Sequence, residues 1–261
     1  MPRPDAPRRV PGQHTGEVVR VERLTTHMVR VVLGGRGLDG IADLPWTDEY
    51  VKLVLPGPDG PVTRSYTVRA WDAAAREMTI DLVVHGDAGV AGPWAATVEV
   101  GAQVTLRGQG GDFVPDRTCD VLLLVGDESA LPAILRTLEA VPAGLPTYVF
   151  VEVASADERQ PVPAQPGVHV SWVLRGETWG GALVRAVRDA ELPAGRLQAF
   201  VHGEAGVVRE LRRHVRADRG VTREDLSASG YWRLGVDDEG WRASKCEWKD
   251  AVARDEAALT G

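Results

Sequence analysis

Short segments in which apolar and polar residues alternate fill the first half of the chain. Alternation with a period of two is typical of half-buried β-strands. Such segments cover 19–24, 29–33, 50–55, 61–70 and 78–83. Turn residues separate them, most clearly Pro56-Gly57-Pro58-Asp59-Gly60. Several short strands without intervening helices predict an antiparallel sandwich or small barrel.

The pattern changes near residue 117, where apolar runs begin to alternate with helical periodicity. Residues 121–125 are all apolar, which indicates a strand buried on both faces of a parallel sheet. Further strands are predicted over 147–153, 168–174, 197–202 and 228–235, with helices over 130–140, 181–191, 206–219 and 238–259. Strands and helices in alternation form βαβ units. We therefore predict a β domain over 1–116, an open α/β domain over 117–236 and a C-terminal helical segment over 237–261.

Composition and charge narrow the functional classes. The chain of 261 residues has no apolar run long enough to cross a bilayer, and its basic N-terminus lacks the apolar core of a signal peptide, so we expect a cytoplasmic protein. The two cysteines, Cys119 and Cys246, are too few and too far apart in sequence for a disulfide framework or a C-x-x-C metal site. The net charge of −7 disfavours a nucleic-acid-binding surface. An anionic ligand therefore requires a local basic pocket.

The tetrapeptide Arg64-Ser65-Tyr66-Thr67 lies in the fourth predicted strand. On a regular strand Arg64 and Tyr66 share one face, and Ser65 and Thr67 share the other. A guanidinium pairs with a pyrophosphate, a phenol ring stacks on a planar ring, and a hydroxyl hydrogen-bonds a ring nitrogen. The tetrapeptide therefore suits a flavin dinucleotide, and an amphipathic strand with one exposed arginine is the alternative.

Two glycine-rich segments follow this strand. In the segment 85–95, glycines let the backbone approach a ligand, and a helix beginning near Pro93 would direct its N–H groups at an anion. An ordinary strand-turn-helix connection explains the same residues. His85 is interpreted as a structural or hydrogen-bonding group rather than as a proton shuttle. The second segment, 108–111, is predicted as a glycine-rich turn.

A polar loop over 126–132 follows the first strand of the α/β domain, where ligands bind in such folds. It is not G-x-G-x-x-G, and Asp127 and Glu128 compete with a phosphate for the positive end of the helix. A ribose or nicotinamide beside Ser129 is therefore favoured over a pyrophosphate. A helix cap formed by Asp127 or Ser129 is the alternative.

Two other charged features have open interpretations. Glu152 ends the second strand of this domain and suits two ribose hydroxyls, which favours NADH over NADPH. Arg159 or Arg175 could reverse that preference. The helix over 206–219 carries arginines around an apolar stripe, and we expect this basic face to be solvated.

Six sequence blocks, taken in order, resemble the siderophore-interacting protein family, the FAD-dependent ferric-siderophore reductases. They are R-S-Y-T-V-R (64–69), H-G-D-A-G-x-A-x-x-W-A (85–95), G-x-G-G (108–111), G-D-E-S-A-L-P-A (126–133), G-E-A-G-x-V-R-x-L-R-R-H (203–214) and G-Y-W-R-x-G (230–235). The resemblance covers nearly the whole chain, from about residue 14 to residue 250. One block alone is weak, whereas six in the same order are specific.

The resemblance implies a six-stranded Greek-key antiparallel β-barrel that binds FAD, followed by an open α/β domain that binds NAD(P)H, of the ferredoxin-reductase-like type. It implies FAD contacts from Arg64, Ser65, Tyr66, Thr67, His85, Gly86, Gly89, Ala91, Trp94, Ala95, Gly110, Gly111 and Trp232. It implies NAD(P)H contacts around Gly126, Asp127, Glu128, Ser129, Pro132, Glu152, Gly203 and Glu204. Electrons would pass from NADH or NADPH through FAD to the Fe(III) of a ferric siderophore, without a catalytic side chain.

The family pattern is not followed everywhere. The chain departs from it at Val90, Gln109, Ser129 and Phe200-Val201-His202. Ser129 keeps the hydroxyl of the usual threonine. His202 is interpreted as a surface histidine, with tuning of the nicotinamide pocket as the alternative.

Substrate and partner predictions are less specific. Candidate cations for an anionic siderophore are Arg233, Arg242, Lys245 and Lys249, with ordinary surface charge as the alternative. Two other functions stay open: a general NAD(P)H:flavin or ferric reductase, and a flavoprotein reduced by a ferredoxin. We expect a monomer with no bound metal and without a nucleic-acid or membrane partner.

Overall fold

The computed structural model describes residues 9–85 and 89–260. The chain divides into two compact units. The first takes the chain up to Val114 together with Pro132–Ala140 and Gln160–Val162, and the second takes Pro115–Leu131, Val141–Arg159 and Pro163–Gly261. Within the described residues, no helix combines the length and apolar character that a membrane span requires.

The first unit contains a single antiparallel sheet. Its strands are β1 (Arg9–Thr25), β2 (Met28–Gly34), β3 (Tyr50–Gly57), β4 (Gly60–Thr67), β5 (Ala70–Asp72), β6 (Glu77–Val83) and β7 (Gln103–Gly110), in the order β4-β3-β7-β1-β2-β6-β5. Helix α1 spans Ala91–Thr97. The predicted antiparallel β domain is confirmed. The described sheet has seven strands rather than six, because the short β5 is a separate edge strand.

Alternating burial explains why these segments form strands. Every second residue of β3 and β6 is apolar and buried, including Leu53 and Ile80, so each strand contributes one face to the core. The predicted strand over 61–70 is interrupted at Val68, which is buried in this core. The prediction of a turn over 108–111 is wrong for residues 108–110, which belong to β7. A glycine is needed at 110 because a Cβ there would lie 2.6 Å from the Tyr50 ring.

The second unit contains a five-stranded parallel sheet. Its strands are β8 (Val121–Asp127), β9 (Thr147–Val153), β10 (Val168–Leu174), β11 (Leu197–Glu204) and β12 (Leu226–Trp232), in the order β10-β9-β8-β11-β12. The connecting and C-terminal helices are α2 (Leu131–Ala140), α3 (Gly181–Arg188), α4 (Ala205–Ala217) and α5 (Asp238–Thr260). All residues of β8 are buried, as its continuous apolar run predicts. The predicted open α/β domain with a C-terminal helix is confirmed.

The arginines of α4 are paired with the C-terminal helix. Arg209 lies 2.6 Å from Asp255, and Glu256 lies 2.9 Å from Arg212 and 3.3 Å from Arg216. The expectation that this basic face is simply solvated is therefore wrong. Helix α5 places Asp255 and Glu256 against the arginines of α4. Because these partners are about 40 residues apart in the sequence, no local pattern predicts the pairing.

Candidate functional site

Strand β4 places the tetrapeptide 64–67 at an edge of the antiparallel sheet. Arg64 is buried, Ser65 is exposed and Tyr66 is half-buried. Thr67 is also buried, so the burial of these side chains does not alternate strictly. The alternation of buried and exposed side chains stops at Thr67, the last residue of β4, and Val68 after it is buried in the core. Arg64 Nη1 donates a hydrogen bond to the Thr63 carbonyl (3.1 Å).

The segment after β6 leads into α1. His85 and Gly89 are exposed, whereas Gly86 lies outside the described residues. Helix α1 begins at Ala91, two residues before Pro93, near which its start was predicted, and no side chain of the described residues caps its first turn. Ala91 and Ala95 are buried in the core of this unit, and Trp94 packs against it. In the part of the chain that the structure describes, the Ala91 and Gly92 N–H groups thus have no side-chain cap, and Pro93 has no N–H.

Close backbone packing accounts for Gly110 and Gly111, which were predicted as FAD contacts. Gly110 lies against the Tyr50 ring. A Cβ at Gly111 would lie 3.0 Å from the Asp48 carboxylate. That carboxylate accepts hydrogen bonds from two backbone N–H groups directly after Gly111, each at 2.8 Å. Both glycines therefore shape the sheet where β3 meets β7.

The residues present in the first unit fit a flavin dinucleotide. One edge strand offers a guanidinium, a half-exposed phenol ring and hydroxyl groups, and α1 offers an uncapped first turn without acidic residues. A guanidinium and backbone N–H groups bind phosphate, and a phenol ring stacks on a flavin. This donor set has the chemistry that such a cofactor requires.

In the second unit, Asp127 connects the carboxyl ends of neighbouring parallel strands. One of its oxygens accepts from the Ser129 N–H (2.9 Å) and hydroxyl (2.5 Å). The other accepts from the Glu204 N–H of β11 (2.8 Å) and from Trp232 Nε1 of β12 (2.9 Å). Burial raises the pKa of Asp127. One carboxylate thus brings together four of the predicted site residues.

Gly203 and Glu204 have roles inside this cluster. A Cβ at Gly203 would lie 2.6 Å from Asp127 Oδ2, and its φ is +132°, so a glycine permits the close approach of the carboxylate. Glu204 accepts from the Val207 N–H (2.8 Å) as the N-cap of α4, and from the Leu234 N–H (3.1 Å) after β12. The pair therefore fixes two loops at the edge of the sheet.

Glu128 and Glu152 share one cation. Arg175 Nη2 donates to Glu128 (2.8 Å), and Arg175 Nε lies 3.3 Å from Glu152. Glu152 is buried and also accepts from the Gly180 N–H (3.1 Å). Burial raises the pKa of Glu152, whereas these hydrogen bonds oppose the rise. Glu152, the predicted ribose acid, is thus paired with Arg175, one of the two arginines that could reverse its preference for NADH.

Trp179 was not predicted as a site residue. Its ring lies 3.4 Å from the Arg175 guanidinium carbon and packs edge-on against Trp232, with ring centroids 5.0 Å apart. Trp179 could have been predicted from its place in the loop after β10, because this loop lies at the same edge of the sheet as the loop 126–132. Two remaining predicted residues at this edge, Gly126 and Pro132, are buried.

His202 is buried, so its interpretation as a surface residue is wrong. Its ring is stacked on Phe200, with centroids 3.7 Å apart. The two ring nitrogens lie 3.0 Å from the Tyr231 hydroxyl and 2.9 Å from the Ser227 hydroxyl. Burial is the main reason that the pKa of His202 falls to about 3, and the nearby Lys245 ammonium lowers it further. His202 is therefore neutral at physiological pH.

The four candidate cations for a siderophore differ in environment. Lys245 is half-buried and donates to the Gly230 carbonyl (3.1 Å), and burial lowers its pKa. Arg242 is exposed and lies 3.6 Å from Asp238 on the same helix. Arg233 and Lys249 are exposed. Lys245 thus has a structural contact in addition to any role toward a ligand.

Both halves of the chain match family profiles. Residues 119–235 match the profile described as Siderophore-interacting protein. Residues 17–60 and 56–113 match the profile described as Siderophore-interacting FAD-binding domain.

Individual relatives extend these matches. The chain is 41% identical to an uncharacterized protein of Mycobacterium tuberculosis, over 94% of this chain and 97% of that protein. It is 30% identical to the ferric vibriobactin reductase ViuB of Vibrio cholerae, over 88% and 92%. A siderophore utilization protein from T. fusca is 36% identical, with a TM-score of 0.77 over 87% and 97%. The ferredoxin reductase of carbazole 1,9a-dioxygenase, at 19% identity, shares the fold, with a TM-score of 0.69 over 84% and 69%. The chain belongs to the siderophore-interacting protein family and carries its FAD-binding domain.

Proposed function

We propose that the protein is a flavin-dependent reductase that passes electrons from a nicotinamide nucleotide to a ferric siderophore. The observation that carries this proposal is the 30% identity to a ferric vibriobactin reductase over 88% of the chain. FAD, when bound, supplies the link between a two-electron donor and one-electron acceptors. One dinucleotide then reduces two ferric ions, and Fe(II) is held less tightly by hard oxygen ligands.

In this proposal the first unit holds the cofactor. Arg64 pairs with a phosphate, Tyr66 stacks on the flavin ring, and the hydroxyl of Thr67 hydrogen-bonds the ring. The backbone N–H groups of Ala91 and Gly92, which no side chain of the described residues caps, hydrogen-bond a phosphate. The half-buried state of Tyr66 supports its role, because one part of the phenol ring is anchored and another part is accessible.

Tyr66→Ala is expected to weaken FAD binding. The substitution removes stacking area worth about 1 kcal/mol or more, which corresponds to a rise of roughly fivefold in Kd. Titration of the apoprotein with FAD, followed by quenching of flavin fluorescence, measures the change. Tyr66→Phe keeps the ring and is the matched control. An unchanged Kd in the alanine variant would contradict the stacking role.

The second unit bears on the identity of the donor. Asp127, Glu128, Glu152 and Glu204 are buried at the carboxyl ends of their strands, and Arg175 is already paired with two of them. An additional 2′-phosphate would meet this negative charge. We therefore propose NADH in preference to NADPH. The same carboxylates also oppose the pyrophosphate of NADH, which keeps reduction by a ferredoxin as the alternative.

An anaerobic reduction series tests the function. The holoprotein is mixed with NADH, with NADPH and with a reduced ferredoxin system, and the loss of flavin absorbance is followed. A ferric siderophore and a ferrous trap are then added. We expect bleaching by NADH, slower bleaching by NADPH, and two ferrous ions per NADH. Slow bleaching by both nucleotides with fast bleaching by ferredoxin would favour the alternative, and a chain that takes up no FAD would contradict both.

The siderophore-facing residues stay a proposal. An anionic ferric siderophore needs local cations on a chain of net charge −7. Arg233, Arg242 and Lys249 are exposed, and we assign them this role. Lys245 is the least accessible of the four candidates, because its ammonium group donates to a backbone carbonyl.

A further inference from the structure

We propose that Glu49 and Arg136 are positioning residues for the FAD-binding strand β4, because together they clamp Val68, the residue that follows it. The inference rests on the proposed FAD role of residues 64–67. It assigns a function to a helix, α2, that lies between two strands of the parallel sheet in the sequence. From Pro132 onward this helix belongs to the first unit.

Both backbone polar groups of Val68 are held by the same pair of residues. The Val68 N–H donates to the Glu49 carbonyl (2.7 Å), and the Val68 carbonyl accepts from Arg136 Nη1 (2.7 Å). Arg136 Nη2 lies 2.9 Å from Glu49 Oε2. These contacts close a ring around a residue with no exposed surface. Because Val68 directly follows Thr67, the ring fixes the end of the FAD motif.

The ring contains a carboxylate, that of Glu49, in the protein interior, where an unpaired charge is unfavourable. Glu49 is 1% exposed, and a buried carboxylate must be paired and hydrogen-bonded. Gln109 Nε2 donates to Glu49 Oε1 (2.7 Å) and to the Ala42 carbonyl (2.8 Å). Burial raises the pKa of Glu49, and the charge of Arg136 is the largest influence that opposes the rise. Removal of Arg136 therefore leaves a buried carboxylate without its cation and the Val68 carbonyl without its donor.

Neighbouring residues of α2 strengthen the attachment. The Glu139 carboxylate accepts hydrogen bonds from Nη1 (3.0 Å) and Nη2 (2.6 Å) of Arg69. The Thr137 hydroxyl lies 2.8 Å from the Thr47 hydroxyl. The helix thus contacts the segment before β3 and the segment after β4. These two segments flank the β3–β4 hairpin that contains the motif. Bidentate pairs of this kind fix direction as well as distance.

Arg136→Met tests the positioning role. We expect the Kd for FAD to rise about tenfold, with a changed visible absorption band and a shifted flavin midpoint potential. Arg136→Lys keeps the charge beside Glu49 but loses the planar fork, so we expect a rise of about threefold. The matched control is Arg196→Met. It breaks a bidentate arginine pair with Asp225 in the second unit, and it should lower the unfolding temperature without changing FAD binding.

The outcomes separate the proposals. If wild type and Arg136→Met bind FAD with the same Kd, spectrum and potential, the positioning role is overturned while the proposed function stands. If the wild-type chain binds no FAD, the proposed function fails and the positioning role fails with it. Should Arg136→Met not fold, Arg136→Lys decides, and a wild-type Kd and spectrum in that variant would overturn the inference.

Discussion

Asp127→Asn is expected to lower the free energy of unfolding by about 3 kcal/mol, which corresponds to a fall of roughly 6–12 °C in the unfolding temperature. Each oxygen of Asp127 accepts two hydrogen bonds, one oxygen from Ser129 and the other from Glu204 and Trp232. Asparagine has only one acceptor oxygen, and its second group is an N–H donor. One pair of donors therefore loses its acceptor. Urea unfolding followed by tryptophan fluorescence measures the change.

A second effect acts in the opposite direction. Burial raises the pKa of Asp127, so the charged carboxylate is itself unfavourable in the folded state, and removing the charge would stabilise the fold. We expect the lost hydrogen bonds to outweigh this gain, because each unsatisfied buried donor costs about 1–3 kcal/mol. Asp250→Asn, on the exposed side of α5, is the control. A variant as stable as the wild type would show that removal of the charge offsets the lost hydrogen bonds, and a more stable variant would show that the cost of the charge dominates.

The parts of the fold that depend on local pattern could be predicted from the sequence. Strands β9 and β10 occupy the predicted ranges 147–153 and 168–174, because their apolar runs are bounded by turn residues. Strand β7 was missed. Two of its last three residues, Gly108 and Gly110, are glycines, which are typical of a turn. A glycine is needed at 110 because of the Tyr50 ring, which lies 60 residues earlier in the sequence. Such a constraint is absent from any local window of the sequence.

The position of the candidate site could be predicted, but its internal pairing could not. The carboxyl ends of parallel strands identify Asp127, Glu128 and Glu152 as neighbours of a ligand. The pairing of Glu152 with Arg175 depends on strand register, because β9 and β10 align Glu152 with Val173 and bring Arg175 just past that row. Register follows from the assembled sheet and from no single segment. The structure therefore places these carboxylates at the predicted edge of the sheet and pairs Glu128 and Glu152 with Arg175, while their contact with a ligand stays a prediction.

The burial of His202 could not be predicted from the sequence either. The predicted strand ended at this residue, whereas β11 continues to Glu204. Strand β12 then lies beside it and supplies Ser227 and Tyr231 as hydrogen-bond partners. A polar tripeptide, His202-Gly203-Glu204, is thus buried because each member has partners on other elements. The sequence carries no sign of those partners.

This burial gives His202 a measurable effect on stability. The unfolded chain gains a proton near pH 6.5, whereas the folded pKa is about 3. As the pH falls from 6.5 toward 3, the unfolded state therefore binds more protons and the fold loses stability. Above pH 6.5 both states are neutral and the effect vanishes. The charged group that faces His202 from α5 is Lys245, and its positive charge acts in the same direction.

His202→Gln is expected to remove this part of the pH dependence, because glutamine does not titrate and can still hydrogen-bond both hydroxyls. Between pH 6 and pH 4.5, wild-type stability should fall more steeply than that of the variant, by at most about 1.4 kcal/mol per pH unit. Urea unfolding at several pH values measures both curves, and their difference cancels the titration of other groups. His169→Gln, an exposed histidine of β10, controls for the loss of an imidazole. Parallel curves for wild type and His202→Gln would contradict a neutral, buried His202.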